Sequence, residues 1–146
     1  MRLTGKFKGT LTNHKTGEIL CWEKSNMVVK GGFDWIAGLM SNKTNRSPAI
    51  SYIAFGTGTE ETTYNMTRLV NEVYRSEVES TWNADTRELV FVGSIPQQSG
   101  LNVSIAEVGL FNAASAGIMF DRAYFTPKGV DDNLSFEYTF TITLTE

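Results

Sequence analysis

The chain has 146 residues, of which 41% are hydrophobic, 12% aromatic and 20% charged. This length and composition predict one folded domain over residues 1–146 and exclude a disordered chain, which combines low hydrophobicity with high net charge. Thirteen basic and sixteen acidic residues give a net charge of -3, which argues against a nucleic-acid partner because phosphate binding needs concentrated positive charge.

The first third of the chain predicts a hairpin followed by one helix. Two alternating segments, Leu3–Thr12 and Glu18–Ser25, flank the five-residue loop Asn13–Gly17, and this length with a final glycine is typical of a β-hairpin. Between Gly31 and Met40 the apolar residues fall at helical spacing, which predicts a short helix. A polar loop, Asn42–Ser47, follows the helix.

The middle of the chain predicts strand after strand, joined by turns. The predicted strands are Ile50–Phe55, Tyr74–Trp82, Arg87–Ile95, Val103–Phe111 and Gly117–Phe125. The last two are joined by a short link, so we expect an antiparallel hairpin. Pro127 and Gly129 are expected to end its second strand, because they cannot both continue a ladder.

The C-terminal segment carries the clearest signal. From Leu134 to Leu144 every second residue is apolar, which predicts a long strand with one buried face. These side chains, at about 1.5–3 kcal/mol each, would supply much of the core energy. The whole pattern predicts an all-β fold: a β-sandwich of about seven to eight antiparallel strands, Greek-key or jelly-roll-like, with one short helix near residues 32–41.

The sequence gives no signal for secretion or membrane insertion. The N-terminal residues alternate and contain glycines, unlike the apolar run of about 7–15 residues in a signal peptide. No stretch approaches the ~18 apolar residues of a membrane helix. With Cys21 as the sole cysteine, no intrachain disulfide or cysteine-rich zinc site can form. We expect synthesis in a cytoplasm and no membrane partner.

Few residues offer catalytic or ligand chemistry. His14, the sole histidine, lies in the polar hairpin loop, and no nucleophile-elbow sequence supports a serine partner. The glycine-rich segment Gly56–Glu61 lacks the lysine of a phosphate loop, and its glutamates would repel an anion, so a tight turn is the better interpretation. Asp121 and Asp131–Asn133 do not follow a calcium-loop spacing. We therefore predict no catalytic residue, no metal and no cofactor.

One charged residue interrupts an otherwise apolar strand. This residue is Glu107, and Arg75 and Arg122 hold similar positions in their own strands. Because an unpaired buried charge would cost several kcal/mol, we predict a buried ion pair between Glu107 and one of the two arginines. Such a pair is more often structural than catalytic.

The aromatic residues leave a glycan-binding module open as an alternative. Three tryptophans and two tyrosines could form a platform on which sugars stack, although tryptophans in a sandwich usually belong to the core or to a subunit contact. The residues concerned are Trp22, Trp35, Trp82, Tyr52 and Tyr124.

Several short segments follow one another in an order that strand periodicity alone does not explain. They are Asn26–Gly32, Ile53–Gly58, Leu69–Arg75 and Ile105–Asn112, with Gly117–Arg122 close behind. In this order they resemble a pattern of bacteriophage tail-collar fibre proteins and small virion structural proteins. The resemblance covers most of the chain. Each segment alone is a weak motif, and the shared order makes the resemblance moderately specific.

The resemblance implies an assembly role in the virion, without catalytic residues and with other phage structural proteins as partners. Tail-collar fibre proteins carry the pattern at the start of a longer chain, so this sequence favours an adaptor, neck or baseplate component, or a capsid decoration protein. A homo-oligomer is expected, with a trimer as the preferred form because such sites are commonly threefold. We expect the contacts at the hairpin Leu3–Ser25 and the loops Asn42–Ser47 and Thr57–Asn65, because loops on a rigid scaffold carry recognition.

Overall fold

The structure is a computed structural model that describes residues 2–41 and 46–145. Nine strands and one helix are formed within these residues, and every strand pair is antiparallel. In chain order they are β1 (Arg2–Asn13), β2 (Ile19–Val28), α1 (Lys30–Ser41), β3 (Tyr52–Gly56), β4 (Glu72–Glu77), β5 (Glu79–Asn83), β6 (Glu88–Ile95), β7 (Val103–Phe111), β8 (Met119–Val130) and β9 (Leu134–Thr145). The predictions of an all-β fold with one short helix, of both hairpins and of the C-terminal strand are confirmed.

The strands form one sheet that folds over into two layers. The sheet order is β4-β3-β7-β8-β2-β1-β9-β6-β5. We call β5-β6-β9-β1-β2 the β1 layer and β4-β3-β7-β8 the β7 layer. β2 joins the layers, since it pairs with β1 along most of its length and with β8 only at Met27 and Val28. At the other end β4 and β5 are separated only by Val78, so the sheet is nearly closed.

The strand count differs from the prediction because the segment Tyr74–Trp82 is two strands. β4 pairs with β3 in the β7 layer, whereas β5 pairs with β6 in the β1 layer. At the corner, the Val78 N–H donates to the Ser51 carbonyl at 2.9 Å. The backbone stays extended on both sides of the corner, so the alternation of side chains continues and hides the change of layer.

The second strand of the β7–β8 hairpin also runs further than predicted, through Pro127 and Gly129 to Val130. The register shifts between Ile105 and Glu107, so residues 125–127 of β8 lie opposite Ala106 alone. Such a bulge leaves residues out of the ladder, and Pro127 therefore needs no hydrogen-bond partner there. The pairing resumes at Lys128, opposite Ile105.

The main core lies between the layers and is largely aromatic. β9 contributes Phe136, Tyr138, Phe140 and Ile142, each at most 2% exposed, as its alternation predicts. The Phe136 and Tyr138 rings stack with centroids 4.4 Å apart. Burying each of these side chains stabilises the fold by about 1.5–3 kcal/mol.

A second, smaller core lies on the other face of the β7 layer. Ile53 and Phe55 belong to the main core, so Ala54 between them points to the opposite face. There it packs in a cluster with Val29, Leu69, Phe111 and Met119. The segment 57–71, which connects β3 to β4, supplies Leu69 to this cluster.

Helix α1 packs against β8 at the margin of the main core, where Trp35 and Ile36 lie against its buried residues. Trp35 meets Phe120 edge to face with ring centroids 5.9 Å apart, and its Nε1 donates to the Pro48 carbonyl at 3.0 Å. Gly32 permits the close approach, because a Cβ atom there would lie 2.4 Å from the Phe120 carbonyl oxygen. No helix in the described part of the chain is both long and apolar enough to cross a membrane.

Candidate functional site: a buried ion pair beneath the glycine loop

Strand register places Glu107 and Arg122 on the same face of the β7 layer. Arg122 lies opposite Gly109, two residues along β7 from Glu107, and long side chains reach such a diagonal neighbour. The Arg122 Nε donates to Glu107 Oε2 at 3.0 Å, and its Nη2 lies 2.9 Å from the same oxygen. Both side chains are 0% exposed. The structure therefore brings together two of the three residues predicted for a buried ion pair.

Backbone N–H groups complete the shell around the Glu107 carboxylate. The N–H groups of Gly58 and Asn71 donate to Oε1 at 3.0 and 2.8 Å, and that of Val70 donates to Oε2 at 2.9 Å. All three donors come from the segment 57–71. A buried charge is tolerated when it is both paired and hydrogen-bonded, and Glu107 meets both conditions.

Arg122 also binds the segment 57–71 directly, through the guanidinium nitrogen that does not face Glu107. Its Nη1 donates to the Glu60 carbonyl and to Thr62 Oγ1, each at 2.8 Å. The loop Thr57–Asn65, predicted as a contact loop, is thus fastened to the sheet at these two residues.

The two glycines of the loop provide the space for the carboxylate. A Cβ atom at Gly56 would lie 2.4 Å from Glu107 Oε1, and one at Gly58 would lie 2.7 Å from the same atom. Glycine is the residue that allows such close backbone approach. The loop that superficially resembles a phosphate loop therefore does meet an anion, and that anion is an internal side chain.

Arg75, the other predicted partner of Glu107, forms a different contact. Its Nε donates to Glu72 Oε2 at 3.0 Å, and its Nη1 donates to the carbonyls of Ala113 and Ala116 at 2.8 and 2.9 Å. Its guanidinium also lies 4.0 Å from the centre of the Phe111 ring. Arg75 therefore holds the turn between β7 and β8 and is not the partner of Glu107.

Asp121 is a second fully buried carboxyl group, which sequence analysis considered only as a calcium ligand. It lies opposite Leu110 of the main core, accepts from the Leu110 N–H at 3.3 Å and contacts the Asn26 side-chain amide. Burial raises the pKa of Asp121 to about 8, against the lowering effect of these two hydrogen bonds. The signal that could have found it is the one that singled out Glu107, a charge among apolar residues.

The other acidic residues considered for calcium lie in a turn after β8. Asp131 Oδ1 accepts from the Asn133 N–H at 2.8 Å, and Asp132 Oδ1 accepts from the Gly100 N–H at 3.1 Å. These are side-chain to backbone bonds typical of turns. Across residues 2–41 and 46–145, no group of three or more His, Cys, Asp and Glu side chains is placed to hold a metal ion.

His14 lies in the exposed turn between β1 and β2, as predicted. Its Nε2 is 2.7 Å from Ser135 Oγ, and its backbone N–H donates to the Asn133 carbonyl at 2.8 Å. Both contacts join the hairpin turn to the start of β9. The geometry is that of a link between two surface segments.

The aromatic residues considered for glycan binding are dispersed. Trp22 packs on Phe125 and Phe136, with ring centroids 5.6 and 5.0 Å apart, and Trp35 packs on Phe120. Trp82 is 50% exposed. It lies on β5, at the opposite edge of the β1 layer from Trp22 on β2, so these two rings do not form one platform.

The segments that carry the phage resemblance converge on these buried groups. One supplies Gly56 and Gly58, the next Val70 and Asn71, and the later two Glu107 and Arg122. The first segment supplies Asn26, which contacts Asp121.

Comparison with known proteins does not assign this chain to a family. No protein-family model matches the chain. A search of curated proteins returns no sequence match either. The function is therefore inferred from the residues and their contacts.

Proposed function

We propose that this chain is a non-enzymatic structural protein of a bacteriophage particle, bound to the particle exterior as a tail, collar or baseplate component. The observation that carries the proposal is the convergence of the phage-like segments on the Glu107–Arg122 cluster. A sequence pattern made of internal contacts specifies a fold, whereas a reaction needs residues that face a substrate. A shape presented to neighbouring proteins is then the expected function.

The state of the most unusual side chains supports a role without catalysis. Both Glu107 oxygens accept hydrogen bonds from the protein, and Glu107, Arg122 and Asp121 are each 0% exposed. A general acid or base must come within hydrogen-bonding reach of its substrate. These three groups instead stabilise the packing of the β7 layer.

Exposed apolar side chains support an assembly role. Ile19 and Leu20 on β2 are 65% and 49% exposed and line one surface groove with Leu11 and Leu134, and exposed apolar patches mark interaction sites. The partners we propose are other phage structural proteins and further copies of this chain, in the virion, after synthesis in the host cytoplasm. The net charge of -3 argues against nucleic acid as a partner.

The predicted contact regions need revision in the light of the fold. β1 lies between β2 and β9, so the first hairpin is an integral part of the sheet, and its turn, its exposed face and the outer edge of β2 are available for contacts. Four residues of the loop Asn42–Ser47 lie outside the described residues. Deleting the hairpin would therefore unfold the domain, and surface substitutions are the appropriate test.

Antibody labelling of intact particles tests the proposal directly. An antiserum raised against the purified chain should detect it in gradient-purified phage particles and label the tail, collar or baseplate in electron micrographs. Absence of the chain from the particles would contradict the proposal. Labelling of the head, with a copy number near that of the major capsid protein, would support the alternative of a capsid decoration protein.

A further inference from the structure

The β1 layer ends at a strand whose outer edge is open. β2 pairs with β8 only at Met27 and Val28. Along residues 19–26, its outer edge pairs with no strand of the described chain. A row of backbone N–H and C=O groups is therefore available to another strand.

Where β2 and β8 separate, the free edge of β8 is protected against strand pairing, whereas the free edge of β2 is not. β8 carries a bulge, Pro127 and Lys128 along its outer part, and these features oppose strand pairing. The run Ile19–Trp22 of β2 contains no proline, glycine or charge. Within it Ile19 is 65% and Leu20 49% exposed. Natural proteins rarely leave such an edge uncovered.

Hydrogen bonding within the hairpin shows which residues of β2 face outward. The Asn13 N–H donates to the Glu18 carbonyl at 2.8 Å, so Glu18 belongs to a hydrogen-bonded pair with β1. Such pairs alternate along an antiparallel ladder. The backbone groups of Leu20, Trp22 and Lys24 therefore point towards β1, and those of Ile19, Cys21 and Glu23 point to the open edge.

We propose that a second copy of this chain pairs with this edge, β2 against β2, antiparallel about a two-fold axis at Cys21. This register matches the outward groups of both copies and places Lys24 of each copy opposite Glu18 of the other. Moving the axis to Leu20 or Trp22 removes both charge pairs. Charge complementarity therefore selects both the occupant and the register, since cross-strand opposite charges are favourable.

The pairing fixes the symmetry of the assembly, and only its biological role rests on the proposed function. An edge that pairs with itself closes after two copies, because the pairing occupies the β2 edge of both copies. The expected symmetry is thus two-fold, in place of the trimer that the phage resemblance implied. The two β1 layers would become one continuous sheet across the dimer.

Measurements on the purified chain test this pairing without phage particles. Sedimentation equilibrium should give a dimer mass. A short bismaleimide should cross-link Cys21 of one copy to Cys21 of the other, because opposed Cα atoms in such a pair lie about 5.5 Å apart. Cys21→Ser should abolish the cross-link and leave the dimer intact. A monomer at all concentrations, a trimer mass, or a dimer without the Cys21 cross-link would overturn the proposal, while particle labelling would still test the proposed function.

A charge exchange tests the register. Lys24→Glu and Glu18→Lys should each weaken dimerisation by about tenfold, and the double variant should restore it. Val92→Lys is the matched control, since Val92 is 37% exposed on β6, away from the edge. It should leave the dimer unchanged. Single variants that dimerise like the wild type, or a double variant without rescue, would contradict the register.

Discussion

Asp121 and Arg122 are neighbours on β8 that point to opposite faces of the β7 layer, and both are 0% exposed. Arg122 pairs with the Glu107 carboxylate, which three backbone N–H groups also hold. Asp121 meets an amide and one N–H, and burial raises its pKa to about 8. On one face β8 thus buries the Arg122 guanidinium among several hydrogen-bonding partners. On the other face it buries the Asp121 carboxyl group, which has fewer partners and keeps its proton up to about pH 8.

The difference lies in what covers each face. On the Arg122 side the segment 57–71 brings its backbone amides to the site, whereas the Asp121 side faces the main core. Asn26 Oδ1 has no hydrogen-bond partner within the described residues. Rotation of that amide would let a protonated Asp121 donate to it, which is a bond that only the neutral acid can form.

Replacing Arg122 should lower the free energy of unfolding more than any other substitution considered for these two carboxyl groups. Arg122→Met leaves the Glu107 carboxylate buried without its counter-ion, which should lower the free energy of unfolding by about 3–5 kcal/mol. Urea unfolding measures the change. Lys6→Met is the control, because Lys6 pairs with Glu23 at 2.9 Å on the surface, where solvent screens the pair, and the variant should lose far less stability. Equal losses in both variants would contradict the account.

The pH dependence of stability should sharpen the contrast between the two carboxyl groups. The folded state holds the Asp121 proton up to about pH 8, whereas the unfolded chain loses it near the ordinary aspartate pKa of 3.8. Stability should therefore fall as the pH rises from about 4 to 8, by at most about 1.4 kcal/mol per pH unit from this group.

Asp121→Asn tests this assignment because it keeps the shape and cannot ionise. The variant should lose the decline that the wild type shows between about pH 5 and pH 8 in urea midpoints. Asp85→Asn, at an exposed turn position, should retain the wild-type slope. A slope that Asp121→Asn leaves unchanged would show that Asp121 is ionised when folded.

A smaller loss is expected from adding one methyl group beneath the loop. In Gly58→Ala the new Cβ would lie 2.4 Å from Val70 Cβ and 2.7 Å from Glu107 Oε1. Displacing the loop should cost about 1–3 kcal/mol by thermal or urea unfolding. Gly38→Ala on α1 meets nothing within 4 Å and should stabilise the helix by up to about 1 kcal/mol. A neutral Gly58→Ala would show that the loop is loosely held.

The elements that could be predicted from the sequence are those set by local periodicity. The alternation from Leu134 to Leu144 fixes which face of β9 is buried, and the lone charge in an apolar strand identifies Glu107. The choice between Arg75 and Arg122 depends on the register of β7 against β8, which involves residues far apart in the chain. The change of layer at Val78 leaves no trace in the alternation.

The partners of the buried groups were beyond prediction for the same reason. The glycine loop and Glu107 are separated by 49 residues, and Asn26 and Asp121 by 95. A sequence pattern can show that a charge is buried, but its protonation depends on which distant backbone amides and side chains reach it.

Hydrogen exchange at the amides that face Glu107 tests most directly whether this carboxylate fastens the segment 57–71 to the sheet. The Gly58, Val70 and Asn71 amides should be protected in the wild type. In Glu107→Gln they should exchange much faster, while the β9 amides stay protected. Fast exchange of these three amides in the wild type, or unchanged protection in the variant, would contradict the account.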